Sequence, residues 1–436
     1  MARIVVIGAG LGGLPTTYEL RRLLPKEHQI TLISNTPKFT FIPSLPWVGL
    51  NLKSLKNIQL DVEKLLANRG VKWILGGVSQ IQPELQQIVV EDTVIPYDYA
   101  VIATGAELAL DALPGLEETA GYVQSVCNPP HALKAAEAWR KFLANPGHLV
   151  VGAVPRASCF GPAYEFVLLA DWVLRRHGLR NQVPITFVTP EPYVGHLGIG
   201  GMANSAELVK KLLRQREITV IENAAITRIA PETIFLADDR TLPFQYSMLL
   251  PPFRGPCFLR EAPYLTDQNG CLPVLATYQH PQFSSIYGVG VITQLKPPEQ
   301  TPIPIGVPKT GQMTEAMAIA VAHNIAVQLG VISAPLVTPT LEAICLADFG
   351  DTGIAFLADQ VLPNPRTGER RRAVAKEGRW VSWSKTAFEW FFLTKMRWGV
   401  AFPWFEEWGL KAMGLSLVQP INDFEFSHTP QIKKLV

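Results

Sequence analysis

A run of glycines only eight residues from the start, set between a strand and a helix, constrains this chain more than any other feature. Arg3 to Ile7 is a short apolar run of strand type, followed by Gly8-Ala9-Gly10-Leu11-Gly12-Gly13 and a helical stretch from Leu14 to Arg22. In such a turn Gly8 makes the sharp bend, Gly10 lets backbone meet a pyrophosphate, and Gly13 permits close helix–strand packing, with Gly12 beside it. The amides of the helix start then face the phosphates. This predicts an α/β chain with a doubly wound, Rossmann-like sheet that holds a dinucleotide.

Further segments decide which dinucleotide. The second strand, Gln29 to Ile33, runs into Ser34 and Asn35, where an acid usually grips the ribose, so the ribose contact departs from the common pattern. Tyr97 to Gly105 reads as the buried strand and Ala103-Thr104-Gly105 turn of FAD proteins. Ser285 to Val291 is similar to their late strand, with Gly290 in place but without the customary acid. FAD is expected rather than NAD.

A second strand–turn–helix begins at His148, where a protein with two dinucleotide sites carries its second glycine loop. Here Val154 and Ala157 occupy glycine places, and a nucleotide backbone cannot approach a turn walled by Val154 and Pro155. Cys159 stands at the helix start instead, where the dipole favours a thiolate. The turn has exchanged nicotinamide chemistry for sulfur chemistry.

At 436 residues the chain exceeds one core and divides by pattern. Residues 1–109 with 273–350 form a discontinuous FAD-binding domain. Residues 110–272 form a second Rossmann-like domain without the nucleotide loop, and 351–436 a C-terminal region of different character. The Pro-rich segment Lys296 to Pro308 is expected as a loop over the flavin. A formal charge of +2 gives no ground for a nucleic-acid partner. The first strand lies too close to residue 1 for a signal peptide, and no apolar run is long enough for a transmembrane helix. Five cysteines without Cys-x-x-Cys spacing give no metal site. Cys257 and Cys271 read as ordinary residues of a loop and a strand start; Cys345 lies in an apolar strand.

The tail is unusual. Six of the ten tryptophans lie between Trp380 and Trp408, together with Phe388, Phe391, Phe392, Phe402 and Phe405. Ser384 to Gly399 reads as a helix with Phe388, Phe391, Phe392 and Met396 along one face and Lys385, Glu389 and Arg397 elsewhere. Phe402 to Leu415 forms a second amphipathic helix. Aromatic density of this kind suits helices lying in the plane of a bilayer interface, and Arg370, Arg371 and Arg372 add attraction to anionic lipid.

Taken together, the stretches Ser158-Cys159-Phe160-Gly161-Pro162-Ala163-Tyr164-Glu165-Phe166, Ile344-Cys345-Leu346-Ala347-Asp348-Phe349-Gly350, Pro192 to His196 and Gly306 to Gly311 resemble the sulfide:quinone oxidoreductases over nearly the whole chain. That resemblance implies two tandem FAD/NAD-linked reductase domains plus a membrane-binding tail. It implies a redox pair of Cys159 and Cys345 that oxidises sulfide to sulfane sulfur or polysulfide, with the persulfide on Cys159 and two electrons passing through FAD to membrane quinone. Cys127 matches a position that in some members joins covalently to the flavin. His131, His196 and Glu165 match proton-handling positions, Lys309 a positive charge beside the flavin, and Ile344 and Phe388 the border of the quinone ring. A peripheral, monotopic membrane enzyme is expected, assembled as a homo-oligomer. The competing readings are the flavin subunit of a sulfide dehydrogenase that donates to a cytochrome, a type II NADH:quinone dehydrogenase, and a non-catalytic flavin redox sensor.

Overall fold

The computed structural model describes residues 1–117, 119–358, 360–362, 370 and 372–421. Apolar runs become parallel strands buried on both faces, as continuous Val/Ile/Leu segments require. Arg3–Ile7 pairs in parallel with Gln29–Ser34 on one side and Tyr99–Ile102 on the other. Lys72–Leu75 extends this sheet at one edge and Ile286–Gly288 at the other, giving five strands. The late strand thus rejoins the first sheet after an excursion of nearly two hundred residues.

That excursion contains a second parallel sheet with the order Thr219–Ile221, Ile185–Val188, Leu149–Ala153, Tyr246–Leu250. In each sheet the first strand of the unit is flanked on both sides by later ones. A crevice therefore opens beyond its carboxyl end, where ligands of such sheets bind. Gly8 follows the first of these central strands and Cys159 the second. Each sheet carries a three-stranded antiparallel companion, Val78–Gln82 with Gln87–Val90 and Thr93–Pro96, and Ile226–Ala230 with Thr233–Leu236 and Thr241–Pro243.

Ala343–Asp348, Gly353–Ala358 and Ala373–Glu377 form an antiparallel sheet against which helix Trp380–Trp398 packs. One continuous apolar core links Val6 and Leu32 of the first sheet, Val151 and Phe187 of the second, helix Gly311–Gln328 and residues Phe392 and Met396 of that late helix.

The late helix differs from the expectation drawn from its pattern. It begins at Trp380, and its buried residues are Val381, Lys385, Glu389, Phe392, Leu393, Lys395 and Met396. Charged side chains therefore face inward, while Trp383 and Trp390 are 66% and 67% exposed, as are Trp404 at 78% and Trp408 at 70% on the following helix Trp404–Ala412. The reason is that Lys385, Glu389 and Lys395 all find partners of opposite charge. Cys257 opens a short helix, Cys257–Arg260, behind Pro256, rather than lying in a loop. Among the described residues no helix is long and apolar enough to cross a membrane; Arg371 lies outside the described residues.

Candidate active site

The first glycine turn is built to the limit of backbone contact. Gly8 has φ of +105°, and a Cβ there would sit 2.5 Å from the Ala103 carbonyl oxygen; a Cβ on Gly13 would sit 1.6 Å from that of Gly8. At Gly12 it would meet Val289 at 2.8 Å. At Gly10 it would meet nothing within 4 Å, which is the open approach a pyrophosphate needs. Three strand ends converge here, since Ala103 donates to the Ile7 carbonyl and Val289 to that of Ile102. Thr104 and Gly105 form the middle turn, with Gly105 at φ +69° and Gly290 at φ +82° in the third. Ser34 is buried at the end of its strand, its hydroxyl accepting from the Thr36 amide, and Asn35 is exposed beside it. The donors and the open Gly10 position fit a dinucleotide such as FAD.

The second turn is closed. Val154 and Ala157 are fully buried, and Arg156 holds φ of +67°. The amide of Arg156 donates to the Pro304 carbonyl at 2.7 Å, and Gly306 donates to that of Ala157 at 2.9 Å. A Cβ on Gly306 would stand 2.6 Å from that of Ser158. The Pro-rich segment, expected over the flavin, is thus laced to the Cys159 turn. Backbone amides that would greet a second nucleotide are already used.

Helix Gly161–Arg176 starts two residues after Cys159, with Pro162 in its first turn. Cys127, Cys159 and Cys345 are unbridged and half-buried in this structure. Burial pushes the Cys159 thiol up to about 12, and the neighbouring Cys345 and Cys127 raise it further, against the Gly161 amide and Lys309. Burial also raises Cys345 to about 11, with Lys385 opposing and Glu165 adding, and Cys127 to about 11. The helix start therefore does not yield the low thiol pKa expected from the sequence. One amide bond and a lysine are outweighed by removal from water.

Glu165 is buried and salt-bridged to Lys385; burial lifts its carboxyl to about 7, with Lys385 opposing and Asp348 adding. Burial lowers the Lys309 ammonium, which Cys271, Asp267 and Cys159 partly restore. Lys309 thus lies between Cys159 and the Asp267 turn rather than in open solvent. The three cysteines, Glu165 and Lys309 share one electrostatic neighbourhood.

The two histidines come from other segments of the chain. His131 lies in the first turn of helix Pro129–Ala144, its amide bonded to the Asn128 side chain, and lines a cleft of about 330 Å³ with Ser125 and Lys134. His196 is buried, with Nδ1 accepting the Gly198 amide at 3.1 Å, so the proton rests on Nε2, which meets Glu299 at 2.8 Å. Ile344 and Phe388 both retain exposed surface, and Phe388 packs edge-on to Phe41 with ring centroids 6.1 Å apart.

Sequence reasoning missed Lys385, Asp348, Trp47 and Glu389. The available signal was an i, i+4 charge pair, Lys385 and Glu389, inside an otherwise aromatic helix. Such a pair normally marks a wet face.

Two dinucleotide-type sheets, one open glycine turn and a half-buried cysteine at the other with a second cysteine in electrostatic reach define a flavin-dependent disulfide oxidoreductase. Residues 2–251 match the pyridine nucleotide-disulphide oxidoreductase family. The chain is 40% identical over 411 residues to a sulfide-quinone reductase of Aquifex aeolicus, covering 93% of each. It is 24% identical to a mitochondrial sulfide:quinone oxidoreductase of Dictyostelium discoideum, over 85% of this chain and 81% of that one. Its fold superposes on the crystal structure of the Aquifex aeolicus sulfide:quinone oxidoreductase with a TM-score of 0.92, at 39% identity, covering 97% and 98% of the two chains. The chain belongs to the sulfide:quinone reductase family. A Plasmodium falciparum NDH2 structure in complex with NADH, at 15% identity and TM-score 0.67 over 91% of this chain and 96% of that one, shares the fold alone.

Proposed function

We infer that this chain is a flavin-dependent sulfide:quinone oxidoreductase, which oxidises sulfide and delivers two electrons to quinone. The observation that carries the reading is the exchange at the second turn. Where a nicotinamide nucleotide would bind, Cys159 stands within electrostatic reach of Cys345, in a chain 40% identical to a sulfide-quinone reductase.

FAD would be held by Gly8, Gly10, Gly12 and Gly13, by Ser34 and Asn35 at the ribose, by Thr104, Gly105 and Gly290, and by Lys309. When bound it accepts two electrons from the sulfur site and passes them to quinone. The residues of the chain do the rest. Hydrosulfide attacks the bridged form of the pair at Cys159, the sulfur–sulfur bond breaks, and the products are a persulfide on Cys159 and a thiolate on Cys345. Sulfane sulfur leaves to a further sulfide. The buried Lys385 ammonium stabilises the thiolate of Cys345, against the pull of burial. Glu165, with a carboxyl near 7, is suited to exchange a proton there at neutral pH. His131 at its cleft and His196 on its loop would move protons at the sulfide or quinone side. Cys127, by family likeness, would join covalently to the cofactor. Ile344 and Phe388 border the quinone.

Exposed Trp383, Trp390, Trp404 and Trp408 form the surface by which the enzyme meets a bilayer as a peripheral protein. A homo-oligomer would set several such surfaces in one plane. A cytochrome-donating subunit has no use for that surface, and an NADH dehydrogenase needs the turn that the Pro-rich segment closes. The test is anaerobic stopped-flow absorbance of the flavin-loaded protein. Sulfide must bleach the flavin and a short-chain quinone must restore it; bleaching by NADH and not by sulfide would overturn the reading.

A further inference from the structure

The buried charges beside Cys345 continue past Glu165. Asp348, at the end of the Cys345 strand, accepts the indole N–H of Trp47 at 3.0 Å. Two ammonium groups lie against the same indole, Lys385 at 4.9 Å and Lys53 at 4.2 Å from the ring centroid. Each pairs with a different carboxylate. Lys385 meets Glu165, and Lys53 meets Glu389 at 2.7 Å, which also accepts the Ser44 hydroxyl. Lys385 and Glu389 stand one turn apart on helix Trp380–Trp398 and so share a face.

Accessibility grows along the series, from 5% of the side chain at Lys385 to 18% at Lys53. Buried ion pairs give little net stability, because desolvation offsets their attraction. An apolar filling would hold these elements together as well. What an apolar filling lacks is a succession of acids and bases leading from a reacting thiol to the surface.

We propose that Lys53, Glu389 and Ser44 form the outer port of a proton relay, joined through the Trp47-bound Lys385 to Glu165 beside Cys345. The proposal rests on the sulfide-to-quinone reading. In that reaction hydrosulfide, quinone and one proton give sulfane sulfur and quinol. Sulfur loses two electrons, and quinone gains them with two protons, one from hydrosulfide and one from water. The port admits the second. Glu389 takes it up, Lys385 passes one of its protons to Glu165 and regains one from Glu389, and Glu165 yields its own to the quinone at Ile344 as that ring is reduced, so no charge accumulates. Trp47 is a positioning residue that keeps the two ammonium groups on their respective carboxylates.

The test uses the full-length, flavin-loaded enzyme and the double variant Lys53→Met/Glu389→Gln, which removes a pair and leaves no uncompensated charge from it. After reduction by sulfide, a short-chain quinone is mixed in with a pH-indicator dye, so that flavin reoxidation and proton uptake from solvent are read together. The variant is expected to slow both by about 10²-fold or more, the lower range for a displaced acid–base group, with an enlarged solvent deuterium effect, and Glu389→Asp alone is expected to retain most of the uptake rate. Reoxidation and proton uptake at the parent's rate would overturn the relay. If the double variant does not retain flavin, Glu389→Gln alone decides by the same two readings. Failure of the parent enzyme to bleach with sulfide would instead refute the functional reading itself.

Discussion

Replacing Lys395 by methionine tests how the tail is held to the flavin domain. The Lys395 side chain is fully buried, 2.6 Å from Glu315 on helix Gly311–Gln328 and 3.0 Å from Glu406 on the last helix. Nearby, Arg69 donates to the Trp398 and Arg397 carbonyls, and Tyr18 to that of Met396. One ammonium thus serves two carboxylates from two elements. Methionine fills the space but leaves both acids unpaired in the interior, a change that costs about 3–5 kcal/mol. The protein can escape by protonating one acid. Burial already holds Glu315 above its ordinary 4.5, and at pH 7 neutralising such a carboxyl from water costs about 3 kcal/mol at 1.36 kcal/mol per pH unit. The two routes agree in size. The sign follows from linkage: the folded state binds the proton more tightly than the unfolded one, so the variant recovers stability as pH falls from 7 toward 4.5. Urea unfolding followed by tryptophan fluorescence should show a loss of about 3 kcal/mol or more at pH 7.5 and well under half of that at pH 5. A loss below about 1 kcal/mol at pH 7.5, or the same loss at both pH values, would refute the reasoning.

Further outcomes follow from other residues. Gly10→Val should fold with unchanged thermal stability, because a Cβ there meets nothing, yet lose flavin absorbance on purification; Gly13→Ala should fail to fold, since its Cβ would lie 1.6 Å from a carbonyl oxygen. Trp404→Ser with Trp408→Ser should weaken co-sedimentation with lipid vesicles by about 100-fold, at roughly 1.5 kcal/mol per buried aromatic, without changing sulfide-driven bleaching in detergent. Glu165→Gln should remove a titration near pH 7 from the pH profile of turnover, because burial lifts that carboxyl to about 7; a profile that keeps this limb would assign it elsewhere. Intact mass after acid denaturation should carry a flavin increment that Cys127→Ser abolishes.

Much of the fold was legible because its signals are local. Gly8 and Gly13 answer to backbone contacts that no other residue survives, and the strands beginning at Arg3 and Leu149 are apolar throughout, so period and composition suffice. That Cys159 and Cys345 would come close was expected from the stretches around them, not from spacing, and the electrostatic influence of one on the other agrees with it. The late helix was not. Lys385 and Glu389 read as a solvent face, because sequence shows charge but not the partners Glu165 and Lys53, which lie 220 and 336 residues away. The thiol acidity expected at Cys159 failed for a similar reason: a helix start is visible in sequence, while the depth at which it is buried belongs to tertiary packing.

The lacing of the Pro-rich segment to the Cys159 turn bears on how readily this chemistry reverts. Restoring glycine at Val154 would not recreate a nucleotide site, because Pro304 and Gly306 would still occupy the amides of Arg156 and the carbonyl of Ala157. Deleting the segment alone would uncover a turn that Val154 and Pro155 keep too bulky for pyrophosphate. Two distant changes are needed at once, and neither has value without the other. The second turn is thereby closed to a nicotinamide nucleotide by a double lock, which on the proposed reading leaves sulfide to supply the electrons.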